Sequence, residues 1–319
     1  MTALQDRVTD LGLTGRDFLT IHDYAPAEVG ALLDLAVELK AAQKRAEAHR
    51  LLAGKAVGMI FTKTSTRTRI SFEVGIAQLG AQPLFLNAGD IQLRVGETIK
   101  DTGHVLSRYL DAIMIRTFAQ ADVVDLATSA TIPVINGLTD DHHPCQAMAD
   151  ALTIREHCGG LEGRTLVYSG DGNNVAHSLA EVGAKTGMRV VICTPHDYRP
   201  DEAIIARARA DAAQTGATIE LTSDLRGAVR GADVIYTDTF TSMGQEAEHD
   251  MRLAALRAYQ VNDELLGLAG PQARVMHCLP AHWGEEVTEA ALYGPQSVVF
   301  DQAENRLHAQ KAIMAALIG

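Results

Sequence analysis

The sequence predicts an α/β fold made of two doubly wound parallel-sheet domains joined by helices. Short apolar runs with strand character alternate with amphipathic helical patterns along the chain, and this alternation is typical of parallel sheets that carry helices on both faces. A second alternating series starts near residue 166. The chain has 319 residues, 47% of them hydrophobic, so it is long enough for two domains that each bury a full core.

Four strands are predicted in the first half. Pro26 stands at a first helical position, and apolar residues recur at helical spacing from there to about residue 50. The helix after the first strand is expected to end at Gly80, and Thr98 with Asp101 forms a capping-box pattern that opens the next helix. The segment 89–97 has no clear period and is predicted to be an exposed loop. The predicted strands are residues 56–61, 83–86, 112–116 and 133–136, and further helices are expected up to about residue 110 and at 119–129.

The second half repeats this architecture. A helix predicted from Pro144 to about residue 157 connects the halves, so we place the boundary near residue 150, with domains 1–150 and 151–319. The final helix, at about 304–317, is a candidate to pack back on the first domain. The predicted strands of this half are residues 166–168, 190–193, 218–221, 234–237 and 275–278, with helices at about 175–187, 201–214 and 252–258.

Charge and cysteine usage exclude several classes of protein. The net charge is −12 and the chain has no basic run, which argues against nucleic acid as a partner. The first 23 residues lack the apolar core of a signal peptide, and no apolar stretch is long enough to cross a membrane. The four cysteines lie far apart without a CxxC pair, so neither a disulfide framework nor a zinc ribbon is indicated. We therefore expect a soluble cytoplasmic protein.

Five polar residues, Ser65 to Arg69, stand where the first predicted strand meets its helix. The free NH groups of a helix start, its positive dipole end, the hydroxyls and two guanidiniums all offer donors in one direction. A phosphate-like dianion fits, because a guanidinium grips two phosphate oxygens at once. The alternative is an N-cap with solvated charges, although cations oppose the dipole in a first turn. Arg116 ends a neighbouring strand and is either part of the same pocket or a solvated strand-end charge.

A turn that contains two glycines, Ser169 to Asn174, follows the first strand of the second half. It lacks the third glycine of the dinucleotide-binding fingerprint, which Val175 replaces. The next strand ends in Thr194 where that fingerprint needs an acidic residue for the ribose, and both features argue against a dinucleotide. Asn173 and Asn174 are candidates either to bind a polar substrate or to cap the helix.

His143 and Gln146 lie three residues apart at a helix start, on adjacent faces of one turn. Together they suit a ligand with a carbonyl oxygen and an amide. Metal ligation by Asp141, His142 and His143 is an alternative, but the Asp-x-Asp motif expected with it at a strand end is missing. A structural histidine that caps a loop is the other alternative.

Two further segments follow later strands. In the segment His277 to His282, the Leu279 carbonyl and the polarisable Cys278 suit a small polar substrate, whereas a zinc site would need a second cluster. The segment Asp238 to Gly244 combines an acid, hydroxyls and a flexible Met-Gly pair, with no Lys or Arg before Arg252. It therefore favours a cationic amine over a dicarboxylate, unless its acid only caps and its glycine only turns the chain.

With these four motifs, the chain resembles the aspartate/ornithine carbamoyltransferase family. Ser65–Arg69 resembles the family's carbamoyl phosphate motif and His143–Gln146 its second motif. Asp238–Gly244 resembles its ornithine-binding motif and His277–Pro280 its fourth, all in family order. The resemblance implies transfer of the carbamoyl group of carbamoyl phosphate to the side-chain amine of L-ornithine, which gives L-citrulline and phosphate. It indicates arginine metabolism, with amino-acid biosynthesis as the expected context, and does not by itself separate arginine synthesis from arginine breakdown. It also implies a homotrimer with active sites near subunit interfaces, and no metal or organic cofactor.

The resemblance also assigns roles to residues. It implies that carbamoyl phosphate is bound by Ser65, Thr66, Arg67, Thr68, Gln92, Arg116, His143, Gln146, Cys278, Leu279 and Arg306. It implies that ornithine is bound by Asn174, Asp238, Ser242 and Met243. The catalytic set is expected to be Arg67, Arg116, His143, Gln146, Asp238, Cys278 and Arg306. Trp283, where many relatives have Arg, and His142 depart from the family pattern, but neither is a motif position, so they affect details of substrate handling and not the reaction.

In the implied reaction a primary amine attacks the carbonyl carbon of carbamoyl phosphate. An amine with a pKa of about 10.4 is mostly protonated at pH 7, so exposing the neutral nucleophile costs roughly 4–5 kcal/mol. The arginines disfavour a second cation and lower that pKa. The alternatives are a sister enzyme acting on N-acetylornithine, putrescine or aspartate, and a non-enzymatic sensor of amino acids or anions. An aspartate enzyme needs cations for a second carboxylate, and residues 238–250 contain no Lys or Arg.

Overall fold

The computed structural model of the chain describes residues 3–87, 89 and 96–319. It divides into two compact units, which we call unit 1 (Met1–Leu152 with Glu304–Gly319) and unit 2 (Thr153–Ala303). Each unit has its own parallel β-sheet with helices. All the predicted strands are present in the described ranges, and the α/β fold class with two parallel sheets is confirmed.

Unit 1 contains a four-stranded sheet in the order β2-β1-β3-β4, with every pair parallel. Its elements in chain order are α1 (Ala3–Asp10), α2 (Pro26–Lys44), β1 (Ala56–Phe61), α3 (Thr66–Gln78), β2 (Gln82–Asn87), α4 (Ile99–Leu106), β3 (Ala112–Arg116), α5 (Gln120–Ser129), β4 (Val134–Leu138) and α6 (Pro144–Cys158), whose residues from Thr153 onward belong to unit 2.

The order of the strands places one crevice at the carboxyl edge of this sheet. The chain leaves β1 through α3 to reach β2 on one side, and later returns to form β3 on the other side. The crevice at such a switch point is where open α/β sheets bind ligands. Phe61 and Arg116, the last residues of β1 and β3, are register partners. The start of α3 and the side chain of Arg116 therefore lie at the same edge.

Two helix boundaries in unit 1 correct the expectations, and a third agrees with them. Helix α2 ends at Lys44 and not near residue 50, because the next turn reaches Ala46 in a left-handed conformation (φ 55°) and the apolar period stops at Ala42. Helix α4 ends at Leu106 rather than near residue 110. Gly80 does follow the end of α3 with φ 85°, the left-handed conformation that glycine adopts without strain.

Unit 2 contains a five-stranded parallel sheet in the order β7-β6-β5-β8-β9. Its elements are β5 (Thr165–Ser169), α7 (Asn174–Thr186), β6 (Arg189–Cys193), α8 (Glu202–Ala212), β7 (Thr218–Thr222), α9 (Leu225–Ala228), β8 (Val234–Thr237), α10 (His249–Leu256), α11 (Asp263–Ala269), β9 (Arg274–His277), α12 (Glu289–Tyr293) and α13 (Val299–Ile318), with short 3-10 turns at His196–Tyr198, Glu246–Glu248 and Arg257–Tyr259. Helix α13 begins five residues before the predicted start, and its residues from Glu304 onward belong to unit 1.

The switch point of this second sheet lies between β5 and β8. Ser169 is paired in register with Thr237, and Thr237 with His277, so three strands end side by side. The residues that follow them, Gly170, Asp238 and Cys278, are brought to one edge. Strands β6, β5, β8 and β9 are buried along nearly their whole length, as expected for a parallel sheet covered on both faces.

Within the described ranges, no helix is both long enough and apolar enough to cross a membrane.

Candidate active site

In unit 1 the predicted anion-binding residues surround the first turn of α3. Ser65 is the N-cap, and its hydroxyl accepts a hydrogen bond from the backbone NH of Thr68 at 3.2 Å. The first turn contains no acidic residue. The local sequence therefore stabilises the helix start with a hydroxyl and leaves the positive end of the helix dipole without a local carboxylate.

Two arginines from distant parts of unit 1 converge on this turn. Arg116 Nη1 and Arg306 Nη2 each donate to the Thr68 hydroxyl oxygen at 3.3 Å. All three side chains are buried, with at most 5% of their surface exposed. Because the hydroxyl is neutral, these bonds position the guanidiniums without cancelling their charge.

A chain of side-chain hydrogen bonds orients Arg306 further. Its Nη1 donates to Gln146 Oε1 at 2.7 Å, and Gln146 Nε2 donates to Asp150 Oδ1 at 2.8 Å. Gln146 and Asp150 lie on consecutive turns of α6, so the helix presents both on one side. This arrangement fixes the amide of Gln146 with its oxygen toward the arginine.

His143, which immediately precedes α6, is buried in the same cluster. Burial lowers the pKa of His143 well below its usual value, and the positive charges of Arg306, Arg116 and Arg67 lower it further. The imidazole is therefore neutral at pH 7 and has one ring NH to donate. Nearby Cys145 is inert by comparison, because burial raises the pKa of its thiol to about 12.

The remaining predicted residues of unit 1 differ in exposure. Arg67 is partly exposed and Thr66 is exposed. Arg69 lies elsewhere: it pairs with Glu73 at 3.3 Å and stacks over the ring of Phe85 at 3.7 Å. The predicted residue Gln92 and most of the predicted loop 89–97 lie outside the described residues.

In unit 2, Asp238 is the centre of a second polar cluster. It follows β8 and is 7% exposed. Asn173 Nδ2 donates to Asp238 Oδ2 at 2.8 Å, and Cys278 Sγ donates to Asp238 Oδ1 at 3.0 Å. The same Asn173 caps α7, because its Oδ1 accepts from the backbone NH groups of Val175 and Ala176. One asparagine therefore starts the helix and orients the carboxylate.

A second carboxylate of this edge was not predicted. Asp171, in the turn after β5, is buried against the guanidinium of Arg252, which also donates from Nε to the carbonyl oxygen of Phe240 at 2.7 Å. Burial raises the pKa of Asp171 to about 6, Arg252 opposes this rise, and Asp238 adds to it. Burial and the negative charge of Asp238 also raise the pKa of Tyr168 well above its usual value. The sequence shows an aspartate between two glycines after a strand, but nothing near it in the chain indicates Arg252 as its partner.

The predicted segment after β9 is held by a buried histidine. The backbone NH of Leu279 donates to His277 Nδ1 at 2.8 Å, and the other ring nitrogen lies 3.2 Å from Glu286 Oε1. These contacts fix the tautomer with the proton on Nε2. Leu279 itself has a left-handed backbone, with φ 58°. A non-glycine residue in that region is strained and is held there by its surroundings.

The other predicted residues of unit 2 are placed as follows. Asn174 is the first residue of α7 and is partly buried. Ser242 is partly buried and Met243 is 44% exposed, in the segment between β8 and α10. Trp283 is 56% exposed and packs edge-on against Tyr293.

Three of these groups have the residue types of a metal site. Ligand-type atoms of Asp238, His277 and Cys278 lie within 4.8 Å of one another. However, the Leu279 amide occupies His277 Nδ1, and Glu286 faces Nε2. Since neither ring nitrogen offers a free lone pair, this arrangement orients the segment and does not present a metal-ligating imidazole.

Two domain models of known families match this chain and together cover most of it. Residues 16–156 match the model described as "Aspartate/ornithine carbamoyltransferase, carbamoyl-P binding domain". Residues 162–317 match "Aspartate/ornithine carbamoyltransferase, Asp/Orn binding domain".

Characterised proteins and solved structures agree with these matches. The chain is 56% identical to an ornithine carbamoyltransferase of Symbiobacterium thermophilum, over 96% of this chain and 99% of that protein. It is 55% identical to an anabolic ornithine carbamoyltransferase of Pyrococcus furiosus, over 97% and 98%. A solved ornithine carbamoyltransferase structure from Pyrococcus furiosus superposes with a TM-score of 0.94 at 55% identity, and the match covers 96% of this chain and 98% of that one.

Proposed function

Since this chain belongs to the aspartate/ornithine carbamoyltransferase family, we propose that it transfers the carbamoyl group of carbamoyl phosphate to the side-chain amine of L-ornithine, giving L-citrulline and phosphate. The family resemblance predicted from the four motifs is thereby confirmed. The relatives named above are ornithine carbamoyltransferases, which supports ornithine over the other amines considered.

The convergence of Arg116 and Arg306 on Thr68 carries this proposal. Two buried guanidiniums at the start of a helix form a site for a dianion, because they add to the dipole and to the free NH groups of the first turn. In the proposal, the phosphate of carbamoyl phosphate is bound by Ser65, Thr66, Arg67, Thr68 and Arg116. The predicted contact of Gln92 remains a prediction.

The carbamoyl group is assigned to His143, Gln146 and Arg306 of unit 1. As the amine attacks, negative charge builds on the carbonyl oxygen, and donors already aimed at it stabilise that charge without rearrangement. His143 supplies a ring NH and Arg306 a guanidinium, while the oxygen of Gln146, fixed by its neighbours, is suited to the carbamoyl NH2. The backbone of Cys278 and Leu279 completes the predicted set.

Ornithine is assigned to unit 2. The carboxylate of Asp238 suits the cationic side-chain amine, with Asn174, Ser242 and Met243 as further predicted contacts. Each carboxylate oxygen of Asp238 accepts a hydrogen bond, one from the Asn173 amide and the other from the Cys278 thiol, so the carboxylate is held in one orientation. A carboxylate that is held in this way binds an ammonium group at a defined position. In the reaction the side-chain ammonium first releases one proton to solvent. The neutral nitrogen then forms the new C–N bond, the C–O bond to phosphate breaks, and the second proton of the nitrogen leaves with the phosphate as hydrogen phosphate.

Assembly into a homotrimer, with active sites near subunit interfaces, is part of the proposal. Unit 1 exposes apolar side chains on neighbouring elements, with Ile70 and Val74 on α3 and Leu84 and Phe85 on β2. Such a face, beside an edge strand, is expected to be covered by another chain. In size-exclusion chromatography with light scattering, the wild type is expected to have the mass of three chains. The variant Val74→Asp is expected to form a smaller species. A monomeric wild-type chain would contradict the assembly.

We also place the protein in the cytoplasm and in arginine metabolism, on the biosynthetic side. All four cysteines are free thiols, as is usual in a reducing compartment, and the anabolic relative from Pyrococcus furiosus supports the biosynthetic assignment.

A colorimetric assay for citrulline tests the activity directly. The purified chain with carbamoyl phosphate is expected to form citrulline from ornithine. With N-acetylornithine, putrescine or aspartate, the corresponding carbamoylated products are expected to form far more slowly. Preference for any of these three amines, or no turnover with any amine, would refute the proposed function.

A further inference from the structure

A second cluster of histidine and carboxylate groups in unit 2 lies in the segment between β9 and α12. One ligand-type atom of each of His282, Glu285 and Glu286 lies within 4.8 Å of the others. The side chain of Glu286 is fully buried, whereas those of His282 and Glu285 are 50% and 25% exposed. The cluster thus has one buried carboxylate at its inner side and an outer side that solvent reaches.

The buried carboxylate has one oxygen engaged and one available. Glu286 Oε1 accepts from the backbone NH of His282 at 2.5 Å and lies 3.2 Å from the Nε2 of His277. Glu286 Oε2 is buried and has no hydrogen-bond partner in the part of the chain that the structure describes. A buried carboxylate oxygen without a partner is costly. A cation bound beside Oε2 removes that cost.

The spacing of these groups suits a small divalent transition metal. His282 Nδ1 lies 3.9 Å from Glu286 Oε2, and ligand atoms around a tetrahedral zinc ion, at about 2.0–2.1 Å from it, lie roughly 3.3 Å apart. A shift of about half an ångström in an exposed histidine ring closes this difference. One imidazole and two carboxylates are ligands that zinc accepts, and the outer side leaves its fourth position to water.

A second histidine lies beside the partly exposed carboxylate of Glu285. His249 Nε2, on α10, lies 3.6 Å from Glu285 Oε1, and His249 Nδ1 lies 3.1 Å from the hydroxyl oxygen of Thr241. A small movement of the His249 ring brings Nε2 within hydrogen-bond distance of Glu285, and partners that hydrogen-bond a metal ligand strengthen metal binding. We propose that His282, Glu285 and Glu286 bind a divalent metal ion of the zinc type, with His249 as a positioning residue.

The test is a zinc titration of the metal-free full-length chain, by calorimetry, in the wild type and in a Cys278→Ser background that removes the thiol near Asp238. We expect one zinc ion per chain to bind in that background. When cobalt(II) replaces zinc in the same Cys278→Ser chain, we expect visible absorption bands of the bound metal and no charge-transfer band from a thiolate ligand. His282→Ala in the same background is expected to weaken zinc binding at least about 100-fold, and His249→Ala about 10-fold, since outer-shell partners alone contribute 10- to 100-fold.

The matched control is His196→Ala, which removes an exposed histidine that also pairs with a carboxylate, Asp197, at 3.2 Å. It is expected to leave zinc binding unchanged. Because His282 and Glu285 are partly exposed, His282→Ala and Glu285→Gln are expected to fold normally, as thermal unfolding will show. Absent binding in the Cys278→Ser background, or equal affinity with and without the His282 ring, would overturn the proposed site.

Discussion

The two units use the same sheet architecture for opposite electrostatic purposes. In unit 1, at the crevice beside β1, Arg116 and Arg306 both donate hydrogen bonds to the neutral hydroxyl of Thr68. In unit 2, Asp171 and Asp238 lie at the crevice beside β5, and within the described ranges only Asp171 of the two is paired with an arginine. The parallel sheet therefore fixes where a ligand lies, and the side chains that end the strands fix the charge that it carries.

The difference extends to how each cluster is held. The groups around Thr68 are joined to each other through α6 and α13, whereas the buried Asp238 is followed in the chain by Ser242 and Met243, which are partly exposed and exposed. A dianion needs donors that do not rearrange, because every misplaced charge costs free energy.

Removal of a predicted phosphate ligand in unit 1 should have the largest effect. We expect Arg67→Ala to lower kcat/KM for carbamoyl phosphate about 10²–10³-fold, because charge that builds on the leaving group loses a guanidinium. Arg69→Ala, which removes the neighbouring arginine that stacks on Phe85, is the matched control and should change kcat/KM little. Steady-state kinetics with both substrates varied measure this. Normal activity in Arg67→Ala would refute the phosphate assignment.

The units also differ in how they accommodate buried lysines. In unit 2, Lys185 pairs with Asp211 at 3.0 Å, whereas Lys311 of unit 1 is buried among the neutral groups of Gln43, His49 and Gln78. Burial lowers the pKa of Lys311 from 10.5 to about 8. Between these values the unfolded chain binds a proton that the folded chain has released, so the free energy of unfolding should rise with pH, by about 3 kcal/mol in total.

Denaturant titrations from pH 7.5 to 10 are suited to isolate this effect. Lys311→Met is expected to be more stable than the wild type at pH 7.5, and the difference should shrink as pH rises. Lys100→Met, at an exposed position on α4, is the control and should leave the pH profile unchanged. A pH-independent difference for Lys311→Met would contradict the burial argument.

Removal of the negative charge of Asp238, at the centre of the unit 2 cluster, should weaken the use of ornithine and not the binding of carbamoyl phosphate. We expect Asp238→Asn to lower kcat/KM for ornithine roughly 10- to 100-fold, because a charge-assisted bond to the ammonium is lost, and to leave the KM for carbamoyl phosphate nearly unchanged. Asp197→Asn, at an exposed position of the same unit, is the control. An equal loss for both substrates would show that the division of labour between the units is wrong.

The smallest effect concerns the N-cap of α7. Asn173→Ala should lower the free energy of unfolding by about 1 kcal/mol through loss of the cap, and should raise the KM for ornithine because Asp238 loses its amide donor. Asn262→Ala removes the N-cap of α11 and should cost similar stability without changing that KM. If both variants behave alike in kinetics, the amide of Asn173 does not orient the carboxylate.

Patterns within short stretches of sequence predicted the features of each unit that depend on residues close together in the chain. The strands, the cap at Ser65 and the turn at Gly80 follow from the order of residue types over a few positions. Helix α1 was missed because it is eight residues long and mostly polar, with Val8 as its buried anchor. Such a short segment carries too few apolar residues to show a period.

The contacts that complete each cluster could not be predicted from short stretches of sequence. Arg306 meets Thr68 across 238 positions, and Arg252 meets Asp171 across 81. The first pair was expected only from the family resemblance, and the second was not expected at all. Tertiary folding sets such distances, and a short window of sequence contains no signal for them.

The most direct test of the central claim is calorimetric titration of carbamoyl phosphate in the absence of ornithine. The wild type, Arg116→Gln and Asp238→Asn are compared at one pH and ionic strength. If the dianion binds where β1 gives way to α3, Arg116→Gln weakens binding at least about 10-fold and Asp238→Asn leaves it unchanged. Unchanged affinity in Arg116→Gln, or an equal loss in both variants, would contradict the account.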